Sequence, residues 1–471
     1  MLKQDILAMS LLFAVFCLLY AYFFQGGGWN PNSHFDTVRA VVERHALDIT
    51  PIAQNTGDIA VFEGKTYSNK APGLALWAAP AYFVLYHLER KSADVGDSWH
   101  VNLNAQILTF VTSGLPGAVL VLLLYWHFRR QSATAAESLT LAGGFGAGSL
   151  IFPYAGIMMS HVFTACFLFG AWQIISSRSA GRALIALAGL MTGIAVVVDA
   201  LSLSAAVLFA IYVVWRRSLL EIVGFAVGAG VMAALFFTYN KLMFGSPFTS
   251  NQTLVGGFQT QGLVLGMLQP PDYERLYWLL LHPFRGLFYC CPVLVLSLLS
   301  LRWRWRGITL EVVVPLAIIL SFVFFNITFN GWAGGWGVGP RYLIPMTPFL
   351  FSFALRGFRL CTAPATLLMA ASAVIMFSVS AVQVMAPAPN DRVDSRMDPV
   401  SDSVRKLSRG EVSVSTQSML DIKPMSAERS VWASYNLGEL MGLHGLASVV
   451  PAAVLLFALA LTTMAFYRQQ E

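Results

Sequence analysis

The sequence predicts an all-α polytopic membrane protein, and three observations carry that prediction. Of 471 residues, 56% are hydrophobic and only 11% charged, with a mean hydropathy of +0.64. A soluble domain usually carries about 25% charged residues. Apolar runs of about 20 residues, the length of a bilayer-spanning helix, recur along the chain. Arg and Lys gather in short doublets between those runs, as the sorting of positive charge to the cytoplasmic side requires. That pattern accounts for the net charge of +6 without a nucleic-acid partner. Short strands with alternating faces are absent, which argues against an outer-membrane barrel.

Taken in order, residues 6–24 form the first span. Lys3 at its start favours the cytoplasm, and no small-residue cleavage motif follows, so it reads as a retained helix. Residues 25–103 then form a first external loop with juxtamembrane helices. Within it, FDTVRAVVERHAL (residues 35–47) spaces Val38, Val41, Val42 and Ala46 as an amphipathic helix lying along the interface. Asp36 is expected in its first turn, where the helix dipole tolerates negative charge. Residues 73–88 are apolar but short and contain Pro80. A crossing there would put Arg129 and Arg130 outside, so the segment is read as packed in the outer leaflet.

Spans follow at 101–128, at 135–175 as two short helices broken near Pro153 and Gly156, and at 183–214 as a hairpin turning near Asp199. Further spans cover 219–239, 284–301, 309–329, 342–355, 361–384 and 440–466. External segments at 240–283 and 386–436 separate some of them, and RWRWR at 302–306 is the strongest cytoplasmic marker. The expected architecture is one bundle of about 12 transmembrane helices with both termini cytoplasmic. The five cysteines sit in or beside apolar runs with no metal or disulfide spacing.

Three stretches point to a family. They are Asp36 in the loop after the first helix, TYSNKAPGLAL at 66–76, and GWAGGWGVGPRYLIPMTPFL at 331–350. Together with NLGELMGLHGLASVVP at 436–451, they make the chain resemble the GT-C class of polytopic glycosyltransferases. The similar branch includes protein O-mannosyltransferases and the lipid A aminoarabinose transferase. The resemblance implies a GT-C-like fold in a bacterial cytoplasmic (inner) membrane. It implies a polyprenyl-phosphate sugar donor, an acceptor that is a lipid, an envelope glycan or a protein, and transfer on the extracytoplasmic face. The family often shows two adjacent acidic residues in the first loop, where this chain has Asp36 followed by Thr37.

Under that reading, transfer to a hydroxyl needs a carboxylate within reach of its proton, and Asp36, then Asp58, are the candidates. A desolvated acid at the bilayer edge would have a raised pKa suited to the task. The donor phosphate needs cations, and Arg341, Lys70 and Arg285 stand on the expected external side, where positive-inside sorting disfavours them. Arg39, Tyr67, His161, Asp199, His282, Trp336 and Tyr342 are candidates to line the cavity. Each has a plainer alternative: a helix salt bridge, a headgroup anchor, an aromatic belt or an interhelical hydrogen bond. No metal motif is present, so no cofactor is expected to be required, and a loosely bound divalent cation is left open. Two other functions fit a polytopic chain: a transporter or lipid flippase, and a non-catalytic envelope assembly protein. Against the first, the polar residues concentrate on one face rather than at the midplane.

Overall fold

The computed structural model describes residues 3–89, 98–249, 268–301, 309–386, 397–414 and 434–468. The RWRWR marker lies outside them. Helix α1 (Lys3–Tyr22) continues into strand β1 (Phe23–Gln25), and then α2 (Trp29–Arg44), β2 (Ile59–Phe62), β3 (Lys65–Ser68) and α3 (Gly73–Glu89) build the first loop. Helix α4 (Ser98–Thr109) runs through a π-turn (Phe110–Gly114) into α5 (Leu115–Arg130). Next come α6 (Ala135–Gly148), α7 (Ile151–Ala155), α8 (Ser160–Ile175), α9 (Arg182–Val198), α10 (Leu203–Arg216) and α11 (Leu219–Phe244). After α12 (Tyr273–Leu280), α13 (Leu287–Cys290), α14 (Val295–Leu301) and α15 (Leu310–Thr328), the chain passes through α16 (Thr347–Phe351), α17 (Ala354–Leu360) and α18 (Thr362–Val382). It ends with α19 (Pro399–Ser408), β4 (Ser434–Asn436), α20 (Leu437–Leu440) and α21 (Leu446–Arg468).

Among the described residues, six helices are long and apolar enough to cross a membrane. They are Lys3–Tyr22, Leu103–Arg130, Leu219–Phe244, Leu310–Thr328, Thr362–Val382 and Leu446–Arg468. Ser160–Ile175, Arg182–Val198 and Ala200–Arg216 are shorter apolar helices. Two expected spans are not continuous. The first becomes α13, a 3₁₀ turn (Pro292–Leu294) and α14; the second becomes a 3₁₀ turn (Arg341–Met346), α16 and α17. Pro292, Pro345 and Pro348 each lack the amide hydrogen that an unbroken helix would use. Broken backbone is tolerated at membrane depth only inside protein, and Leu294, Ile344, Phe349 and Phe351 are fully buried.

Helix α1 packs on α5, α6 and α21. Capping boxes start α6 (Thr134 with Glu137) and α11 (Ser218 with Glu221), each closing two otherwise open amides. The basic flanks collect at one end. Arg129 pairs with Asp5 at 2.7 Å, Arg359 with Glu137 at 2.7 Å, and Arg216 with Glu311 at 2.7 Å. The Tyr467 hydroxyl near the C-terminus lies 3.3 Å from that of Thr140, a residue of the same end. The start of α1 and the end of α21 therefore stand at the basic end of the bundle.

The opposite end holds the loop elements. Strands β1 and β4 pair antiparallel, Phe23 opposite Asn436, and tie the exit of the first helix to the entrance of the last. Tyr22 reinforces that seam by donating to the Ser448 carbonyl at 2.7 Å. Strands β2 and β3 form a hairpin turning at Glu63–Gly64, both at positive φ. The all-α expectation is thus corrected, among the described residues, by four strands of three or four residues each. Helix α2 also differs. It starts at Trp29, so Asp36 sits in its interior rather than its first turn, and residues 31–38 are buried all round instead of facing an interface.

Candidate active site

Four segments converge at the loop end. The first is the Ser33–His34 face of α2. Ser33 donates to the Asp58 carbonyl at 2.7 Å, and its hydroxyl lies 2.6 Å from that of Ser68. The second is the tail of the hairpin, where the Asn69 amide donates to the Asp58 carbonyl at 3.1 Å. This brings Lys70 back over Asp58, and their side chains pair at 2.9 Å. The third is the turn between α9 and α10. A Cβ on Gly73 would stand 2.7 Å from the Val197 carbonyl oxygen, so only glycine lets α3 begin this close to the end of α9.

The fourth segment is the glycine-rich loop before Arg341. Gly334, Gly335, Gly337 and Gly339 all have positive φ, which lets a short loop fold back on itself. Arg285, 1% exposed, clamps it. Its Nε donates to the Ala333 carbonyl at 2.8 Å, Nη2 to Gly335 at 2.5 Å, and Nη1 to Gly337. Tyr154 donates to the Val338 carbonyl at 3.0 Å. The loop delivers Arg341, whose Nη2 lies 3.4 Å from the Tyr342 hydroxyl. Arg341 Nε is buried and has no hydrogen-bond partner, and among the described residues no carboxylate lies within ion-pair reach of this arginine.

His161 occupies the second position of α8. The preceding segment is pinned because Ser113, in the π-turn, donates to the Ile157 carbonyl at 2.9 Å. Its Nδ1 stands 3.5 Å from Asp199 Oδ2, an ion-pair distance without hydrogen-bond geometry. Asp199 caps the following 3₁₀ turn by accepting from the Leu201 amide at 3.1 Å and also accepts from Ser160 at 3.3 Å.

Charge in this pocket follows from burial and pairing. Burial is the largest influence on Asp58 and would raise its pKa, but Lys70, with Arg341 and Asn69, overcomes it and holds the carboxyl below its ordinary value. His34, 3% exposed, is pushed down to about 3, by burial first and by Lys70 second, so the imidazole is neutral.

The expected site residues divide. Asp58, Lys70, Arg341, Tyr342, His161 and Asp199 come together. Asp36 does not join them. At about 100° per residue it points roughly 160° away from His34 around α2. It is 0% exposed, its Oδ1 accepts from Asn55 at 3.3 Å, and its Oδ2 has no partner. Its charged neighbours are Arg39 and Glu43, and burial raises its pKa to about 7. Arg39 is taken by Glu43 at 2.9 Å, which in turn accepts from Tyr82 at 2.6 Å. Tyr67 lies in a small separate core with Tyr239 and Phe244. His282 stacks on Trp278 with ring centroids 3.8 Å apart and accepts from the Phe284 amide. Trp336 packs half-buried on the main core. Arg285, expected at the phosphate, has each of its three nitrogens on a loop carbonyl.

His34, Ser160 and Asn69 were not anticipated, whereas Tyr154 was, as a ring that could stack on a sugar. His34 had one signal, its place in NSHFD beside Asp36, but the helix phase that separates the two faces depends on where α2 begins. Among the described residues, no group of three or more His, Cys, Asp or Glu side chains is placed to hold a metal ion.

No protein-family profile matches the sequence, and no curated relative does. Solved structures do match. The chain is similar to ArnT from Cupriavidus metallidurans in the apo state, with TM-score 0.51 at 13% identity, over 98% of this chain and 74% of that one. It is equally similar to the same ArnT bound to undecaprenyl phosphate, at 0.51 and 13%, over 98% and 75%. The Archaeoglobus fulgidus oligosaccharyltransferase matches more weakly, with TM-score 0.44 at 11% identity over 91% of this chain and 62% of that one. At such identities the likeness to ArnT establishes the fold alone: this chain is a largely α-helical, polytopic membrane protein whose fold resembles that of ArnT.

Proposed function

We propose that the protein is a membrane glycosyltransferase that moves a sugar from a polyprenyl-phosphate carrier to an acceptor hydroxyl at this pocket. The observation that carries the proposal is the meeting of Lys70 and Arg341 beside an ionised carboxylate, with Arg341 lacking a carboxylate partner and its Nε unmet. A half-buried arginine whose Nε is buried and unmet calls for an anion beside it. The ArnT structure that this chain resembles was solved with undecaprenyl phosphate, which supports a lipid phosphate as that anion. An apolar groove of about 590 Å3 begins at Trp77, on the second turn of α3 beyond Lys70, and passes Phe167, Val119 and Leu123 to Trp126. We assign it to the polyprenyl tail.

In this scheme Lys70 and Arg341 hold the phosphate. Asp58 takes the acceptor's hydroxyl proton as its oxygen attacks the anomeric carbon. The bond from that carbon to the phosphate oxygen breaks, and the leaving phosphate keeps its electron pair against the two cations. The assignment to Asp58 replaces the one to Asp36. Arg285 becomes a positioning residue that shapes the loop before Arg341. The basic end is assigned to the cytoplasm, with about twelve crossings, both termini inside, and the pocket outward. The acceptor is a lipid, an envelope glycan or a protein.

The test uses the full chain in lipid nanodiscs with undecaprenyl phosphate as probe. Lys70→Gln and Arg341→Gln should each weaken binding by about tenfold or more, the loss of one charge-assisted contact. Unchanged binding in both variants would sink the reading.

A further inference from the structure

The pocket has a second, uncharged side. His161 stands between Tyr154 and Tyr342, with ring centroids at 6.3 and 5.5 Å and planes at 71° and 88°. Three rings thus line one notch. Although His161 is 3% exposed, neither of its nitrogens has a hydrogen-bond partner among the described residues. Leaving a buried polar atom unmet costs about 1–3 kcal/mol, so such an atom marks a place where a ligand atom belongs.

Asp199 determines what His161 can offer. Its carboxylate is fixed by the Leu201 amide and the Ser160 hydroxyl, and it faces Nδ1 at 3.5 Å. Even without hydrogen-bond geometry, a carboxylate at that distance favours the proton on Nδ1 over Nε2 electrostatically and leaves Nε2 as an acceptor. The notch therefore presents aromatic surface and one hydrogen-bond acceptor. A sugar ring matches both, with C–H faces for the rings and hydroxyls that donate. The order along the chain also fits. Tyr342 follows Arg341 directly, and its hydroxyl touches the guanidinium at 3.4 Å, so a group in the notch is adjacent to whatever Arg341 holds.

We propose that His161, walled by Tyr154 and Tyr342 and fixed in tautomer by Asp199, is the subsite for the donor's sugar ring and accepts a ring hydroxyl on Nε2. The inference rests on the glycosyltransferase reading and deepens it from the lipid phosphate to the sugar.

The experiment compares bare undecaprenyl phosphate with a panel of undecaprenyl-phosphate sugars (hexose, pentose and aminopentose) on the nanodisc-embedded full chain. On the wild type, at least one sugar-bearing carrier should bind about tenfold more tightly than the bare one. His161→Phe should abolish that increment while leaving the bare carrier's affinity within about twofold. His161→Gln, which keeps a hydrogen-bonding side chain, should recover part of it, and Asp199→Asn should lose most of it. An increment that survives both His161→Phe and Asp199→Asn overturns the proposal, as does a wild type that prefers no sugar-bearing carrier. If the bare carrier fails to bind the wild type at all, the glycosyltransferase reading falls first and this inference with it.

Discussion

Asp36 and Asp58 belong to the same loop, yet the fold treats them oppositely. Asp58 is half-buried and has Lys70 at 2.9 Å with Arg341 beyond it. Asp36 is fully buried, with one amide hydrogen bond and one unmet oxygen. Burial alone pushes a carboxyl toward its neutral form, whereas burial beside a cation keeps it charged. The consequence is that desolvation, which made Asp36 the better base on paper, is the wrong criterion. A base must be unprotonated at working pH and must open onto the reactants. Asp58 is ionised and half-exposed, as the proposed role demands, whereas Asp36 is fully buried and pushed toward its neutral form.

The sharpest way to break this contrast is to neutralise each acid in turn. Asp58→Asn should lower transfer by about 10²–10⁴-fold, the usual contribution of a general base, with the thermal unfolding profile kept. Turnover measured with a sugar-bearing carrier checks it. Equal activity in Asp58→Asn and wild type would return the role to another carboxylate, Asp199 being the nearest alternative in the pocket.

Asp36→Asn should act on stability instead. The folded-state pKa of about 7 exceeds the usual carboxyl value of 3.8. Between these limits the folded chain binds more protons than the unfolded one, so stability falls as pH rises from about 4 to 7 and is level outside that window. The full effect is roughly 4 kcal/mol at most. Asparagine removes the titration, so the variant should show a flatter pH dependence and gain stability at pH 8 relative to wild type. Thermal unfolding at pH 5 and pH 8 reads this directly. Transfer activity should stay within about tenfold. A loss as large as that of Asp58→Asn would show that the carboxylate of α2 reaches the reactants after all.

Gly73→Ala is expected to do less. The added methyl meets the Val197 backbone at 2.7 Å, so the start of α3 must move away from the end of α9, shifting Lys70, three residues earlier. A displacement near 1 Å at a positioning group costs up to about 10²-fold. The loss should fall on donor KM and kcat together, since the phosphate cation itself is displaced. Gly64→Ala, at a solvent-facing turn with no atom within 4 Å, controls for backbone strain without moving the pocket.

What the sequence made legible was whatever rests on long apolar runs and misplaced charge. Each of the six long helices among the described residues overlaps a predicted span, because apolar content over about 20 residues outweighs local detail. Lys70 and Arg341 were visible as cations on the side where cations are scarce, and the structure does bring them together. Arg285 satisfied the same test and proved to clamp carbonyls, because charge placement cannot tell a phosphate from a row of backbone dipoles. The breaks at Pro292 and Pro345 were hidden by the apolar residues around them. Strands of three or four residues give no periodic signal. The choice between Asp36 and Asp58 depended on helix phase and on a hairpin partner, and neither is a local property of the sequence.

The smallest effect concerns Tyr67, an aromatic of this loop expected in the cavity. The structure seats it on β3, opposite Ala60, with its ring edge-on to Phe244 at 5.4 Å and in a core shared with Tyr239. If packing is its role, Tyr67→Phe should change neither stability by more than about 0.5 kcal/mol nor activity by more than about twofold. Tyr67→Ala should cost about 3–5 kcal/mol of stability, as deletion of a buried ring does. A sugar-stacking ring would behave in the reverse way. Its truncation would raise donor KM in a protein that unfolds at the wild-type temperature, because an aromatic wall of a solvent-filled cavity has less to lose from the fold than from the ligand. Measuring both quantities on Tyr67→Ala therefore decides whether the hairpin contributes a ring to the pocket or only holds Asp58 and Lys70 against each other.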